Sequence, residues 1–403
     1  MLVDTLLIPP HESAEIPEVS IVIPALNEEI TISEFVEWCK EGLRNAGICG
    51  EILIIDSSAD RTTELALAGG ARVLKTPKRG LGRAYQDALP HIRGRYILMG
   101  DADCTYDFRE LKPFVESFRR GNQYIMGSRF RGHIEPGSMP ALHRYFGTPV
   151  TTQILNIIYG SKFTDIHCGM RGIERDSFVR MRLRSNSWEY ASEMVLKSVQ
   201  MRLKTDEVPV RFLKDKEGRE SHHKRSGWLS PWKAGWINLR AMLVNGAEFF
   251  ALRPGGILFV LGLCLTVPVT LGPIAVGPIH FSLFWMLFGM SLTIVGLQIF
   301  YMGCLARLLH DYTGAARRYW RNFFSYDRSM VVSGLLLALG ILLLFPLCYV
   351  YWQLGLRLPA AIGRVHHMAI MGLLCMILAF MNFVFTLLFQ AVAATIPDEE
   401  ASH

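Results

Sequence analysis

The chain has 403 residues, 50% of them hydrophobic, and a formal net charge of +6, enough for one soluble domain of about 240 residues plus a membrane part. Its eight cysteines (Cys39, Cys49, Cys104, Cys168, Cys264, Cys304, Cys348 and Cys375) show no CxxC and no paired spacing, which argues against a disulfide framework or a zinc site and fits a reducing compartment. Lys and Arg gather where the mixed half meets the apolar half, a placement that favours anionic lipid or phosphate over nucleic acid.

Residues 1–17 lack a basic stretch followed by an apolar core and carry Asp4, Glu12 and Glu15, so they read as a flexible tail and not as a signal peptide. Strand-like runs follow at Val19–Pro24, Glu51–Asp56, Ala71–Thr76, Tyr96–Gly100 and Tyr124–Gly127. Between them, Ile32–Ala46, Thr62–Ala68, Gly82–Ile92 and Asp107–Arg120 have helical patterns. This alternation predicts an α/β domain with a mostly parallel sheet covered on both faces. Ligands then bind at the carboxyl ends of the strands, where Asn27 and Glu28, Asp56, and Asp101 and Asp103 fall.

Four stretches have chemistry of their own. Asp101-Ala102-Asp103 presents two carboxylates from one turn, a donor set suited to Mg²⁺ or Mn²⁺. Lys78, Arg79, Gly80 and Gly82 make a basic, flexible turn where a phosphate could approach backbone N–H groups. Glu189 and Glu193 lie one helical turn apart and face the same way. The basic segment Arg219, His222, His223, Lys224 and Arg225 suits a diphosphate or an anionic lipid headgroup. Adjacent histidines with no third ligand argue against a metal there.

Residues 227–254 repeat Trp228, Trp232, Trp236, Leu239 and Leu243 at helical spacing, with Lys224, Arg225, Lys233 and Arg240 interleaved and Ser230-Pro231 as a start signal. An interfacial amphipathic helix is expected, with a core helix of the soluble domain as the alternative. Residues 255–395 hold four apolar spans, Gly256–Val276, Phe281–Leu305, Met330–Trp352 and Met368–Ala393, each long enough to cross a bilayer. Arg307, Arg317, Arg318, Arg321 and Arg328 lie between spans two and three; the first loop has no Lys or Arg, and the third has only Arg357 and Arg364. Positive charge marks the inside. The expectation is an integral protein of a prokaryotic plasma membrane, with the catalytic part and both termini, including the tail 396–403, in the cytoplasm. Spans with so little charge do not suit a transporter.

Val19-Ser-Ile-Val-Ile-Pro-Ala-Leu-Asn-Glu-Glu29, Asp56-Ser-Ser-Ala-Asp-Arg-Thr62, Lys78-Arg-Gly-Leu-Gly-Arg-Ala84 and Asp101-Ala-Asp103, in this order and spacing, resemble the family 2 glycosyltransferases of GT-A (Rossmann-like) fold. The branch that looks most similar is the polyprenyl-phosphate (dolichyl-phosphate) hexose synthases with C-terminal membrane helices. The resemblance covers about residues 18–225 and implies a GT-A domain over 18–226. It implies donor contacts from Pro24, Ala25, Asn27, Glu28, Asp56, Lys78, Gly80, Gly82, Asp101, Arg219, Lys224 and Arg225. A metal ion would sit on Asp101 and Asp103, with Asp103 the direct ligand and Asp101 facing either the ion or the nucleoside.

Gly127-Ser128-Arg129 resembles the family position where an arginine meets the acceptor phosphate. Asp165-Ile-His-Cys-Gly-Met-Arg171 resembles the stretch beside the reacting centre, so Asp165, Arg129, Arg171 and Glu193 are the implied catalytic group. Ile55-Asp56-Ser57-Ser58 departs from the family's Asp-Asp/Asn-Gly-Ser, which leaves the base contact open. The implied activity is inverting transfer of a hexose from a nucleotide sugar, UDP-glucose or another UDP-sugar before GDP-mannose, to polyprenyl phosphate. A glycolipid synthase with a diacylglycerol-type or other hydroxyl acceptor is the alternative. A processive synthase is disfavoured because the Gln-x-x-Arg-Trp run is missing, and a dead scaffold because the rim acids are present. An oligomer stays open.

Overall fold

The computed structural model describes residues 4–10, 15–187, 189–216, 218, 246, 248–309, 315–357 and 363–395. The chain divides into two compact units, residues 1–244 and 245–403. In the first, β2 (Val19–Ala25), β3 (Gly50–Asp56), β4 (Arg72–Lys75) and β5 (Tyr96–Met99) run parallel. They sit inside an eight-stranded sheet of order β1-β4-β3-β2-β5-β7-β6-β8. These four strands are buried on both faces, which explains why they read as unbroken apolar runs and not as alternations. Ile21, Ile23 and Leu98 pack with Phe35 and Val36 of α1 (Ile32–Ala46) and with Phe114 and Phe118 of α4 (Lys112–Arg119). On the other face Val22, Leu53 and Met99 meet Tyr85 of α3 (Leu81–Ala88) and Met194 of α7 (Tyr190–Gln200). The short helix α2 (Thr62–Ala68) joins β3 to β4.

The far half of the sheet carries strands and helices that the sequence did not announce. β7 (Arg171–Glu174) is antiparallel to both β5 and β6 (Tyr124–Ile134). β8 (Thr205–Phe212) pairs parallel with β6, with an irregularity between Ser128 and His133. α5 (Thr148–Tyr159) and α6 (Arg175–Met181) lie between β6 and α7 in sequence. A π-helical turn, His143–Gly147, leads into α5, and Leu142, Tyr145, Phe146, Val150 and Ile157 are exposed along this stretch.

Three sequence expectations need correction. Residues 1–17 are not all tail: β1 (Thr5–Leu7) pairs antiparallel with β4, and Asp4 holds the Thr76 hydroxyl (2.8 Å) and Arg79 (2.9 Å). The helix expected from Gly82 to Ile92 ends at Ala88 and tightens into a single 3₁₀ turn, Leu89–His91, around Pro90. The helix expected from Asp107 starts only at Lys112, because Pro113 fits a first turn and would clash further inside a helix.

In the second unit, α8 (Arg253–Thr266) continues through a 3₁₀ turn, Pro268–Leu271, and with α9 (Leu283–Leu309), α11 (Tyr326–Gln353) and α12 (Arg364–Thr395) gives four helical segments long and apolar enough to cross a membrane. The first begins and ends earlier than expected, covering Phe249–Leu271: after Leu271 the chain leaves the helix and pairs Ile274–Val276 with Ile279–Phe281 as a two-stranded ribbon, β9 and β10. The nine-residue α10 (Ala315–Phe323) lies between the second and third spans. Glycines set the packing of α8 on α9. A Cβ on Gly255, Gly262, Gly289 or Gly296 would come within 2.3–2.6 Å of an atom of the facing helix, so these positions let the backbones touch, as membrane helices without a hydrophobic drive between them require. Gly340 and Gly372 do the same for α11 and α12. The Trp-rich stretch expected at the membrane interface lies outside the described residues.

Candidate active site

The carboxyl ends of β2 and β3 are joined loop to loop. Ser57 N–H donates to the carbonyl of Ala25, the residue after Pro24 (3.1 Å). Asn27, in the left-handed region at φ 56°, receives the Ala59 N–H on its side-chain oxygen (3.1 Å) and gives its own N–H to Ser58 Oγ (2.6 Å). Glu28 is buried; its N–H donates to Thr62 Oγ1 (2.9 Å), and its carboxylate accepts from Thr31 Oγ1 (3.2 Å). Asp56 is fully buried and occupied: it accepts from Ser58 N–H (2.9 Å), from the Thr63 hydroxyl and from Lys75 Nζ (2.9 Å). Burial pushes its carboxyl pKa up, and the Ser58, Thr63 and Lys75 hydrogen bonds outweigh that and hold it below the ordinary value. Asp56 therefore shapes the loop that follows β3. The two serines that depart from the family pattern close the same loop.

After β5 the chain turns through Asp101-Ala102-Asp103, with Ala102 buried and both acids half-buried. Asp103 Oδ1 accepts from the N–H and hydroxyl of Thr105 (2.9 and 2.6 Å), which fixes the carboxylate's rotamer. Gly169 lies so close that a Cβ there would sit 2.5 Å from Asp101 Oδ2, and its N–H donates to Tyr106 Oη (2.8 Å). The 101–106 turn and the 165–171 stretch, 60 residues apart in sequence, thus form one wall. Among the described residues no cluster of three or more His, Cys, Asp or Glu is spaced to hold a metal. The chain offers the two hard oxygen donors of Asp101 and Asp103, a partial set that fits Mg²⁺ or Mn²⁺, ions that usually take one or two carboxylates and complete their shell with substrate phosphate and water.

Arg129 and Asp165 form a buried, bidentate pair. Nε and Nη2 of Arg129 donate to the two carboxylate oxygens at 2.6 and 2.8 Å, and the Arg129 N–H adds a third bond (3.1 Å). The His167 N–H reaches the same carboxylate at 3.3 Å. Each residue thus spends its charge on the other. His167 Nε2 lies 2.8 Å from Thr151 Oγ1; burial, with Arg129 and Arg171 adding to it against Asp165, drops the imidazole pKa to about 4.

Arg171 is different. Its guanidinium is fully buried, gives Nη1 to the Ala191 carbonyl (3.0 Å) and Nη2 to the Cys168 carbonyl (2.6 Å), and has no partner at Nε. Among the described residues no carboxylate pairs with this cation.

Gly80, Gly82 and Glu193 meet in a way their sequence positions did not suggest. A Cβ on Gly80 would be 2.1 Å from the Asn186 carbonyl oxygen, and one on Gly82 would be 2.2 Å from that of Ser185. The glycines admit the 182–187 loop. Glu193 holds the loop from the other side, accepting the N–H groups of Arg184 (3.0 Å) and Ser185 (2.9 Å) and pairing with Lys197 Nζ (2.6 Å). Lys197, buried, gives its other bonds to the Met181 and Arg182 carbonyls (2.8 and 2.9 Å). Lys78 is exposed beside this loop contact, and Glu189 is the residue just before α7. Arg219, His222, His223, Lys224 and Arg225 lie outside the described residues.

Sequence reading missed Lys75, Lys197, Tyr106 and Glu207. Lys197 could have been found, being four residues after Glu193 on one helix face. Glu207, which accepts the N–H groups of Thr164 and Asp165 (2.8 and 3.1 Å), carries no local signal.

Comparison with known proteins adds independent support. Residues 20–181 match the family described as glycosyl transferase family 2, and residues 304–393 match the glycosyltransferase family 2 C-terminal transmembrane region. The low-salt glycan biosynthesis hexosyltransferase Agl6 of Haloferax volcanii is 36% identical over 357 residues, 87% of this chain and 84% of that protein. A dolichyl-phosphate hexose transferase of the same organism is 26% identical over 162 residues, 40% of this chain and 69% of that one. The glucosyl-3-phosphoglycerate synthase of Mycobacterium tuberculosis, solved with Mn²⁺, UDP and phosphoglyceric acid, is 20% identical over 56% of this chain and 78% of that one, with a TM-score of 0.42.

Proposed function

Since the chain belongs to glycosyl transferase family 2 and is a membrane-integral glycosyltransferase, we propose that it moves a hexose from a nucleotide sugar to a lipid phosphate, polyprenyl phosphate, with inversion at the anomeric carbon. The observation that carries this reading is one polypeptide joining a two-carboxylate turn at the end of β5 to four helices able to span a bilayer. The Haloferax hexosyltransferase and dolichyl-phosphate hexose transferase support the sugar and acceptor classes. The exposed apolar side chains from Leu142 to Ile157 support a sheet domain that works against lipid. The arginines between spans two and three support a cytoplasmic catalytic unit.

In this mechanism an oxygen of the acceptor phosphate attacks the anomeric carbon as the bond to the nucleoside diphosphate breaks, and the electron pair leaves with the diphosphate. A phosphate monoester with a second pKa near 6 is largely dianionic at neutral pH, so the attack needs no proton transfer. The occupied Asp165 supports that reading: with both oxygens held by Arg129, it orients the wall instead of serving as a base. Asp101 and Asp103 would hold Mg²⁺ or Mn²⁺, whose chemistry when bound is to neutralise the departing diphosphate. Arg171 supplies fixed positive charge beneath the rim. A glycolipid synthase would instead need a base to activate a hydroxyl.

The test uses the purified full-length protein in detergent with Mn²⁺ or Mg²⁺, polyprenyl phosphate and labelled UDP- and GDP-sugars, UDP-glucose first. Label should enter the organic phase and fall at least about 100-fold in Asp103→Ala, with the variant still folded. If no donor labels polyprenyl phosphate while a control enzyme uses the same lipid, the proposal fails, and label on diacylglycerol would put the glycolipid reading in its place.

A further inference from the structure

The helix α10 divides its surface into three stripes. Trp320, half-buried, lies against Phe300 of α9 (ring centroids 6.0 Å apart), and Phe324, just beyond the helix end and buried, meets Tyr301, Phe385 and Phe389 at 6.0, 4.8 and 5.6 Å. Gln390 of α12 adds a hydrogen bond from Nε2 to the Phe324 carbonyl (3.0 Å). That side is anchored to the bundle.

A second stripe holds Tyr319 and Phe323, 61% and 57% exposed, with their rings nearly parallel (13°) and 6.4 Å apart. The third holds Arg318 and Arg321, both exposed and one turn apart. At 3.6 residues per turn the arginine stripe falls on the face roughly opposite the aromatic one. In sequence, residues 307–328 carry five arginines (307, 317, 318, 321 and 328) and two acids, Asp311 and Asp327.

A connector between two spans sits at a membrane surface. There, exposed aromatic rings on one face lie at the boundary of headgroup and acyl chain, and arginines on the opposing polar face reach out to the level of the lipid phosphates, which the planar guanidinium binds in bidentate fashion. We propose that α10 is a docking site for anionic membrane phospholipids, with Arg318 and Arg321 on the headgroup phosphate and Tyr319 and Phe323 against the upper part of the chains. The proposal stands whether or not the acceptor is polyprenyl phosphate. Charge complementarity chooses the occupant, because a neutral zwitterionic headgroup would bring its own cation against the two arginines.

The experiment compares phosphatidylglycerol with phosphatidylcholine of the same chains, added to the detergent-purified full-length protein, and counts retained lipid by native mass spectrometry. Phosphatidylglycerol should be held preferentially. Arg318→Gln with Arg321→Gln should weaken it by about 30-fold, the ratio for two basic side chains at about 1 kcal/mol each. Arg318→Lys with Arg321→Lys, equally charged but without the guanidinium fork, should bind more weakly than the unaltered protein and more tightly than the Gln pair, and unchanged melting temperatures of both pairs show that the exchange itself leaves the fold intact. Competition with inorganic phosphate separates headgroup from lipid and should displace little of it. Equal retention of the two lipids by the unaltered protein, or unchanged phosphatidylglycerol retention in the double Gln variant, would overturn the proposal. So would full displacement by inorganic phosphate, which would make α10 a phosphate site and not a lipid one.

Discussion

A carboxylate held on both oxygens by one guanidinium is neutralised and immobile, so Asp165 cannot be removed without stranding Arg129 inside the protein. Breaking one partner of a buried pair leaves the other uncompensated and costs about 3–5 kcal/mol. Asp165→Asn should therefore lower the melting temperature strongly along with activity, whereas Asp103→Ala, which gives up the Thr105 bonds, should lower activity far more than the melting temperature; thermal unfolding of the two variants separates the roles. His167 gives a second prediction. Its pKa is about 4 in the folded chain, below its ordinary value of 6.5, so the unfolded chain takes up the proton first as pH falls. Stability is then full above pH 6.5 and declines as pH drops towards 4, and His167→Gln should flatten that decline in melts recorded across the range. The sequence located Asp165, Arg129 and Arg171 by motif but could not say that the first two consume each other: they lie 36 residues apart on different segments, and pairing at that separation leaves no local pattern. Glu207, which ties down the backbone of Asp165, was invisible for the same reason.

At the level of elements, the 182–187 loop rests between Gly80 and Gly82 on one side and Glu193 with Lys197 on the other. Gly82→Ala would need the Ser185 carbonyl to move, since the new Cβ falls 2.2 Å from it. A loss of about 1–3 kcal/mol is expected. Glu193→Ala releases the same loop by removing the acceptor for two N–H groups and baring Lys197. Two routes to one displacement do not add, so the double variant should be less damaged than the sum, as read by melting temperature and transfer rate in a double-mutant cycle. The glycines looked like a phosphate cradle in sequence because Gly-x-Gly before a helix is compatible with either use; the structure shows a neighbouring carbonyl filling the space. The parallel strands β2 to β5 were legible because burial on both faces writes continuous apolar runs. β1, β7 and β8 were not. β1 and β7 are only three and four residues long, and β8, partly exposed, mixes Asp206, Glu207 and Arg211 into its run. Pro113 was the overlooked signal for the start of α4.

Across the whole chain, the polar and apolar halves are apparent from composition, and four spans follow from length and hydropathy. Their packing is not apparent, since lipid and leucine are equally apolar and only small residues mark where helices touch. Gly262→Leu should splay α8 from α9, because even a Cβ would lie 2.4 Å from the Thr293 nitrogen. Gly334→Leu, where a Cβ meets nothing within 4 Å, should be tolerated. Size-exclusion profiles and melting temperatures in detergent would show a damaged protein in the first case and a normal one in the second.

The glycine contacts pair α8 with α9 and α11 with α12, consecutive helices in each case. Every contact of this kind is therefore available as soon as the second helix of a pair has left the ribosome. The first hairpin can settle in the bilayer while α11 is still being made, and the second needs no partner that is not its sequence neighbour. A chain cut short after residue 309 would consequently carry a finished pair of helices, and one cut after residue 353 would leave α11 waiting in lipid with its Gly340 face uncovered.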